Sequence, residues 1–159
     1  MKKITILILV LLNIGCDQIS KNIVRKNVNQ NEYIQLVNDN FILTNVENTG
    51  AMLGFGEGFP PILKIILLQI LPVVVLIALL INILRKTYIN KWLIGAFAFV
   101  IGGGIGNLID RIAHGKVTDF FILKLGFFKT GIFNMADVSV TLGIILIFIL
   151  SIKHKKLDF

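Results

Sequence analysis

The hydrophobic positions of this chain fall into four long, nearly continuous runs that are separated by shorter polar segments. A helix that crosses the hydrocarbon core of a bilayer needs about 20 predominantly apolar residues. Four stretches meet that requirement, at about residues 4–24, 61–84, 92–112 and 134–152. The pattern predicts an all-α membrane protein with four transmembrane helices, forming a single domain over residues 1–159.

A different pattern fills the segment between the first and second predicted helices. Two β-rich runs, residues 32–37 and 41–46, are separated by Asn38, Asp39 and Asn40, which favour a turn. We therefore predict a small extracytoplasmic β-hairpin or β-cradle within about residues 30–58, lying against the membrane surface. The segment from residue 113 to 133 is interpreted as a second outer loop.

Prolines mark the second predicted helix. Pro60 and Pro61 precede it, and proline is tolerated in a first helical turn. Pro72 lies inside the run and predicts a kink, which neighbouring helices in a bundle can accommodate.

Composition and charge support a membrane location. The chain is 55% hydrophobic and 16% charged, whereas soluble domains have about 25% charged residues. The net charge is +7, but half of the 16 basic residues form three clusters beside apolar runs. The positive-inside rule assigns these clusters and both termini to the cytoplasm, and the lack of a basic stripe argues against nucleic-acid binding. The clusters are Lys2 and Lys3; Arg85, Lys86 and Lys91; and Lys153, Lys155 and Lys156.

The N-terminus resembles a lipoprotein signal peptide that ends at a lipidation cysteine, Cys16. Asn13 stands where such a signal would have an aliphatic residue, and cleavage would remove a whole span. We therefore predict an uncleaved first transmembrane helix. The alternative is a lipoprotein anchored at Cys16.

Two carboxylates are the strongest candidates for chemistry. Asp119 lies just after Lys116-Val117-Thr118, and Asp137 lies at the start of the fourth apolar run. A carboxylate at membrane depth is costly and therefore marks a functional site by default. Two that meet form a shared-proton pair that activates water for attack on a peptide bond.

Spacing places further polar side chains on shared helix faces. Asp17 and Lys21 are four residues apart and so share a helix face. They form either an interfacial ion pair, with Lys21 extending outward, or the lining of a polar pocket. Asn107, Asp110 and Arg111 also share a face, after a glycine-rich stretch that permits close helix packing. The alternative interpretation of Asp110 and Arg111 is a pair that anchors the helix at the membrane interface.

Asn134 and Asp137 are three residues apart at a helix start. They are explained locally as an N-cap and a first-turn acid that the helix dipole favours. The same position biases Asp137 toward ionisation, whereas phenylalanines around Asp119 favour its protonated form. We therefore expect the resting pair to carry one proton, more often on Asp119.

Other catalytic chemistries have little support. His114 and His154 stand apart from paired carboxylates, so no metal site is predicted. No histidine or lysine base lies at a recognisable spacing from a serine. Several phenylalanines of the second outer loop are expected to anchor it at the interface: Phe120, Phe121, Phe127, Phe128 and Phe133.

Five motifs, in order along essentially the whole chain, resemble those of the bacterial lipoprotein signal peptidases (signal peptidase II). Met52-Leu53 replaces the more usual Ala-Phe after the second motif, an apolar change that concerns local packing. The motifs are Asp-x-x-x-Lys at Asp17 and Lys21; Asn-x-Gly-Ala at Asn48, Gly50 and Ala51; Gly-x-Gly-Asn-x-x-Asp-Arg from Gly104 through Asn107 to Asp110 and Arg111; Val-x-Asp-Phe around Asp119; and Phe-Asn-x-Ala-Asp with Asn134, Ala136 and Asp137.

The resemblance implies an aspartic endopeptidase with Asp119 and Asp137 as the catalytic pair. It implies a substrate site formed by the second, third and fifth motifs, supported by Asp17, Lys21 and Asp110, and it implies no cofactor. The implied substrate-site residues are Asn48, Gly50, Gly104, Asn107, Arg111, Asn134 and Ala136.

The implied activity is removal of the signal peptide from diacylglyceryl-modified prolipoproteins, just before the lipidated cysteine. The implied location is the bacterial inner membrane, with the active site toward the extracytoplasmic side. The partners are prolipoproteins and membrane lipids, and the enzyme is expected to act as a monomer. From the residues alone, a small ion- or proton-coupled carrier with the two aspartates as a relay is the alternative. The absence of an inverted repeat argues against it.

Overall fold

The structure, a computed structural model, describes residues 3–85 and 90–153. Four helices are long and apolar enough to cross a membrane: α1 (Lys3–Asn27), α2 (Pro61–Arg85), α3 (Lys91–His114) and α4 (Met135–Lys153). With a small antiparallel sheet between them, they confirm the predicted fold class. Part of the predicted cytoplasmic clusters lies outside the described residues, namely Lys2, Lys86, Lys155 and Lys156, as does His154.

The helix ends follow from local capping chemistry. α2 begins at Pro61, as predicted, with Pro60 at the N-cap. Asn90 caps α3 by accepting a hydrogen bond from the backbone N–H of Trp92 at 2.9 Å. α3 ends at His114, and the next residue, Gly115, has a left-handed φ of 72° and donates from its N–H to the Arg111 carbonyl. A left-handed glycine after the last turn is a common helix stop.

α2 is irregular near its proline. Residues Ile66–Ile70 form a π-helical segment directly before Leu71 and Pro72. Pro72 has no N–H to donate to the preceding turn, so the regular hydrogen-bond ladder is interrupted at this point. π-Helical segments within α-helices are one of the identifiable causes of kinks.

α3 is the central helix of the bundle and packs on α1, α2 and α4. Glycines permit these contacts. A Cβ added at Gly106 would lie 2.6 Å from Asp17 Oδ2 on α1, and one at Gly143 of α4 would lie 2.6 Å from the Ala96 carbonyl on α3. The glycine-rich stretch therefore has the close-packing role that its composition predicts.

The sheet has four antiparallel strands in the order β1 (Ile34–Val37), β2 (Phe41–Asn48), β3 (Val117–Leu125) and β4 (Phe128–Lys129). The pairing of β1 with β2 confirms the predicted hairpin. The interpretation of residues 113–133 as a loop was wrong, because β3 lies alongside β2 and extends the sheet.

The sheet is attached to the end of α1 through an apolar cluster. Phe120 of β3 is buried against Val24 and Val28. The prediction that Phe120 anchors the loop at the membrane interface is therefore wrong, because its ring belongs to this core. Phe127 and Phe128, at the β3–β4 turn, are exposed.

Candidate functional site

Asp119 enters the site from the sheet. It lies on β3 opposite Val46, and Asn48 of β2 pairs with Val117 two positions away. The Asn48 amide Nδ2 donates to Asp119 Oδ2 at 2.9 Å. Only 4% of Asp119 is exposed, so the sheet presents this carboxylate inward, toward the helices.

Asp137 enters the site from the first turn of α4. Its backbone N–H donates to Asn134 Oδ1 at 3.0 Å, while its own Oδ2 accepts from the backbone N–H of Asn134 at 3.1 Å. This reciprocal arrangement is a capping box, which satisfies free N–H groups at a helix start. The capping interpretation of the two residues is therefore correct locally, and it also fixes the orientation of the Asp137 carboxylate.

A short backbone pairing brings the two carboxylates together. Phe133 exchanges hydrogen bonds with Phe121 of β3, donating to its carbonyl at 2.9 Å and accepting from its N–H at 2.8 Å. The next residue, Asn134, consequently lies beside Asp119 and donates from Nδ2 to Asp119 Oδ1 at 2.6 Å. Asn134 is fully buried and contacts both aspartates.

Asn107 of α3 completes the connection. Its Nδ2 donates to Asp137 Oδ1 at 2.9 Å, and its Oδ1 accepts from Asn134 Nδ2 at 3.1 Å. Lys21 Nζ also donates to Asn107 Oδ1, at 2.9 Å. The two asparagines thus form a continuous chain of hydrogen bonds from Asp119 to Asp137.

A buried ionic cluster lies beneath the asparagines. Lys21 Nζ lies 2.8 Å from Asp17 Oδ2 and 3.1 Å from Asp110 Oδ2, and all three side chains are fully buried. Arg25 Nη2 lies 2.8 Å from Asp110 Oδ1 and Arg25 Nε donates to Thr118 of β3. Two carboxylates face two cations, so the cluster is neutral, as burial in a medium of low dielectric constant requires.

These contacts decide between the interpretations that the spacing left open. Lys21 does not extend to the interface but occupies a polar pocket with Asp17. Asp110 pairs with Lys21 and Arg25 rather than with its neighbour Arg111. Arg111 instead donates from Nη2 to the Gly50 carbonyl at 2.9 Å.

The Asn48–Ala51 segment forms a tight loop over the site. Asn48 Oδ1 accepts from the Gly50 N–H at 2.8 Å, and its Nδ2 also donates to the Ala51 carbonyl. A Cβ at Gly50 would lie 2.7 Å from the carbonyl oxygens of Gly54 and Phe55. The loop therefore needs glycine at this position to hold Asn48 against Asp119.

The remaining candidates lie at the edge of this network. Ala136 is fully buried, and its N–H donates to Asp17 Oδ1 at 2.9 Å, joining α4 to α1. Gly104 faces α2, where an added Cβ would meet the Leu76 side chain. The structure thus gathers Asp119, Asp137, Asn48, Asn107 and Asn134 at the centre, with Gly104 on the side of α2.

Sequence reasoning missed three members of the network. Arg25 continues the i, i+4 spacing from Lys21, so the spacing contained a signal for it. Gln18 Nε2 lies 3.2 Å from Asp110 Oδ1 and 3.1 Å from the Gly106 carbonyl. Thr118 N–H donates to Asp110 Oδ2. The last two depend on contacts across the fold, and no local pattern indicates them.

Burial dominates the electrostatics of Asp119. It raises the pKa of the Asp119 carboxyl from 3.8 to about 6, although hydrogen bonds from Asn48 and Asn134 favour the ionised form. The nearby charge of Asp137 raises this pKa further. Asp119 therefore keeps its proton to a higher pH than an exposed aspartate does.

The arrangement suits proton transfer and hydrolysis better than metal binding. Two carboxylates of unequal environment, held by amide donors, can act as acid and base on one water molecule. Among residues 3–85 and 90–153, no three His, Cys, Asp or Glu side chains lie together as metal ligands. Fold and site together define a class: a multi-pass membrane protein with two facing carboxylates, Asp119 buried and Asp137 partly buried, at one end of its helix bundle.

Comparisons with known proteins identify the family. Residues 8–153 match the family described as signal peptidase (SPase) II. A lipoprotein signal peptidase of Streptococcus thermophilus is 32% identical over 156 residues, covering 98% of this chain and 97% of the relative. One of Bacillus subtilis is 33% identical over 139 residues, covering 87% of each chain. The chain belongs to the signal peptidase II family, and it is therefore a peptidase of the membrane rather than a carrier.

Solved structures agree with this assignment. One, described as a bacterial membrane enzyme determined by the in meso method, superposes with a TM-score of 0.84 at 27% identity. The match covers 98% of this chain and 92% of that one. A second structure with the same description has a TM-score of 0.83 at 28% identity, covering 94% and 93% of the two chains.

Proposed function

We propose that this protein removes signal peptides from diacylglyceryl-modified prolipoproteins, cutting the bond just before the lipidated cysteine, as an aspartic peptidase. The observation that carries the proposal is the hydrogen-bonded connection of Asp119 to Asp137 through Asn134 and Asn107. The names of the relatives support the substrate class, since they are lipoprotein signal peptidases. The proposal needs no cofactor.

In this mechanism Asp137 is the general base. Its Oδ1 accepts from Asn107 and its Oδ2 from the Asn134 N–H, and both donors favour a negatively charged carboxylate. Its place in the first turn of α4 adds the favourable helix dipole. Asp137 removes a proton from the attacking water.

Asp119 is the general acid. Its burial keeps a proton on the carboxyl at a higher pH than is usual for aspartate. The protonated carboxyl polarises the scissile carbonyl, and the pair then passes a proton to the leaving amine. After one turnover Asp137 carries the proton taken from water and Asp119 has given its own to the leaving amine, so transfer of that proton from Asp137 to Asp119 restores the starting state.

Arg111 is a candidate donor for a carbonyl of the substrate. One of its terminal nitrogens is bound to the Gly50 carbonyl. Its Nε is buried and has no hydrogen-bond partner among the described residues. The Arg111 side chain as a whole is only partly buried, so its terminal N–H groups, rather than Nε, are the donors that a substrate carbonyl could contact. Asn48, whose Nδ2 donates to Asp119, is the second candidate donor.

The proposed location is the bacterial cytoplasmic membrane, with both termini cytoplasmic and the site toward the outer face. The sheet, the end of α1 and the start of α4 lie together, so the carboxylates share one end of the bundle. A signal helix that enters from the bilayer would reach the carboxylates at the same end where water is available. A monomer is sufficient for this arrangement.

The direct test is cleavage of a lipidated prolipoprotein by the purified protein in detergent, with the products identified by mass spectrometry. We expect a single cut immediately before the diacylglyceryl-cysteine. The matched control is the same prolipoprotein without its lipid, which we expect to remain intact. Cleavage elsewhere, or equal cleavage of both substrates, would contradict the proposed function.

The pKa of Asp119 sets a pH dependence. Since the acid must be protonated, kcat/KM should fall as the pH rises through the pKa of Asp119, about 6 in the free enzyme. The fall should be about tenfold per pH unit above that value. The measurement is a pH–rate profile from pH 4.5 to 8.5 at limiting substrate. A profile without an ionisation on its alkaline side would exclude Asp119 as the acid.

A further inference from the structure

The most unusual buried group of this molecule is the ammonium of Lys21. Its side chain is fully buried, so it cannot contact a substrate. An ammonium has three N–H donors and no acceptor. Three acceptors surround it: Asp17 Oδ2 at 2.8 Å, Asp110 Oδ2 at 3.1 Å and Asn107 Oδ1 at 2.9 Å. The two carboxylates balance the charge of the ammonium, whereas the contact with Asn107 connects Lys21 to the candidate functional site.

The contact with Asn107 determines which way that amide faces. Because Lys21 can only donate, the atom facing it must be the Asn107 oxygen. The Asn107 nitrogen is then directed at Asp137 Oδ1, to which it donates at 2.9 Å. In the reversed orientation, the amide nitrogen would face the ammonium and the Asn134 amide donor. The amide oxygen would then face a carboxylate oxygen.

We propose that Lys21 is a positioning residue for catalysis, which acts through Asn107 to keep an N–H donor on Asp137. The inference rests on the proposed function, because it concerns the state of the general base. With Lys21 present, the donor stabilises the ionised carboxylate that removes the proton from water. Without Lys21, Asn107 can turn its oxygen toward Asp137, and that orientation favours a proton on Asp137 and disables the base.

The charged groups around Lys21 are the other members of the buried ionic cluster. Asp17 of α1 and Asp110 of α3 face it directly, and Arg25 neutralises Asp110 from the other side. Arg25 does not contact Asn107 in the described structure. It therefore provides a matched control, since its removal takes one positive charge from the same cluster without touching the asparagine.

The experiment is a double-mutant cycle on the steady-state kinetics of prolipoprotein cleavage. We expect Lys21→Gln to lower kcat by about 10- to 100-fold, a cost typical of groups that orient the residues of a site. KM should stay within about twofold of the wild type, since the substrate does not contact Lys21. In an Asn107→Ala background, Lys21→Gln should change kcat by no more than about twofold, because its effect passes through Asn107.

Arg25→Gln is the control for a structural role. We expect it to lower the melting temperature and to have the same effect on kcat in both backgrounds. The proposal is overturned if Lys21→Gln costs the same factor in kcat with and without Asn107. It is also overturned if its effect is confined to KM or to the melting temperature.

Loss of the buried cation leaves two carboxylates facing one arginine, so Lys21→Gln can fail to fold. In that case the double variant Asp17→Asn, Lys21→Met, which keeps the cluster neutral, is used in place of Lys21→Gln. Its kcat is then compared with that of Asp17→Asn alone, both with Asn107 present and in the Asn107→Ala background. If the wild type cleaves the lipidated substrate but the cycle is additive, only the role of Lys21 fails. If the wild type does not cleave it, the proposed function fails, and the role of Lys21 with it.

Discussion

Asp119→Asn and Asp137→Asn should each lower kcat for prolipoprotein cleavage by about ten-thousandfold or more, as removal of an essential acid or base does in other peptidases. Both substitutions keep the size of the side chain but remove its ability to exchange a proton. Asp119 lies on β3 and Asp137 on α4, so each contributes a group that the other element does not supply. The measurement is single-turnover cleavage followed by mass spectrometry.

The control for this prediction is Asp39→Asn. Asp39 lies in the β1–β2 turn, is exposed, and binds Gln35 of the same hairpin. Its substitution removes one carboxylate from the sheet without approaching the site, and it should leave kcat unchanged. Each variant is compared at matched folded concentration by size exclusion and melting temperature. Turnover above about 1% of wild type in either site variant would disprove an essential two-aspartate mechanism.

Asn134→Ala has the second largest expected effect. Its amide donates to Asp119 and to the Asn107 oxygen, and its own oxygen caps α4. Removing it breaks the connection between the carboxylates, so we expect kcat to fall by about 100- to 1,000-fold, the cost of losing a preorganised donor. The lost cap should also lower the free energy of unfolding by about 1 kcal/mol. Steady-state kinetics and thermal unfolding measure the two effects.

Asn90→Ala separates these two effects. Asn90 caps α3 through the Trp92 N–H and lies at the link between α2 and α3. Its loss should cost a similar free energy of about 1 kcal/mol while leaving kcat unchanged. If the two asparagine variants lose similar stability and similar activity, the role of Asn134 is structural, and the proposed connection between the aspartates is incorrect.

The spans and the hairpin could be predicted because one physical constraint acts on each. A bilayer admits helices that satisfy their own backbone, so long apolar runs such as Met135–Lys153 identify them directly. The hairpin is local, with its turn residues between two β-rich runs. Both features can therefore be inferred from neighbouring residues.

β3 could not be predicted in the same way. Its polar Thr118 and Asp119 are followed by the apolar pair Phe120 and Phe121, so a simple in–out alternation is absent. The reason is that Phe120 is covered by α1 while Asp119 faces the polar site. The strand is stabilised by its pairing with β2, which lies far away in the sequence.

The same limit applies to the polar site. Helical spacing indicated that Asp110 and Arg111 lie close to one face of the helix, but not what each contacts. Asp110 is bound by Lys21 and Arg25, and Arg111 by the backbone of Gly50. These two adjacent residues of α3 therefore contact different parts of the structure, Asp110 the helix α1 and Arg111 the Gly50 loop. Only the packing of α1 and the Gly50 loop around α3 decides this.

The two carboxylates belong to different parts of the molecule, one to the surface sheet and one to a helix of the bundle. If the two carboxylates act together as proposed, a detergent that displaces the sheet from the end of α1 would inactivate the protein while every helix stays intact. The far-ultraviolet circular dichroism spectrum, dominated by helices, would not change noticeably. Preparations of this enzyme are consequently better judged by active-site titration than by their helical content.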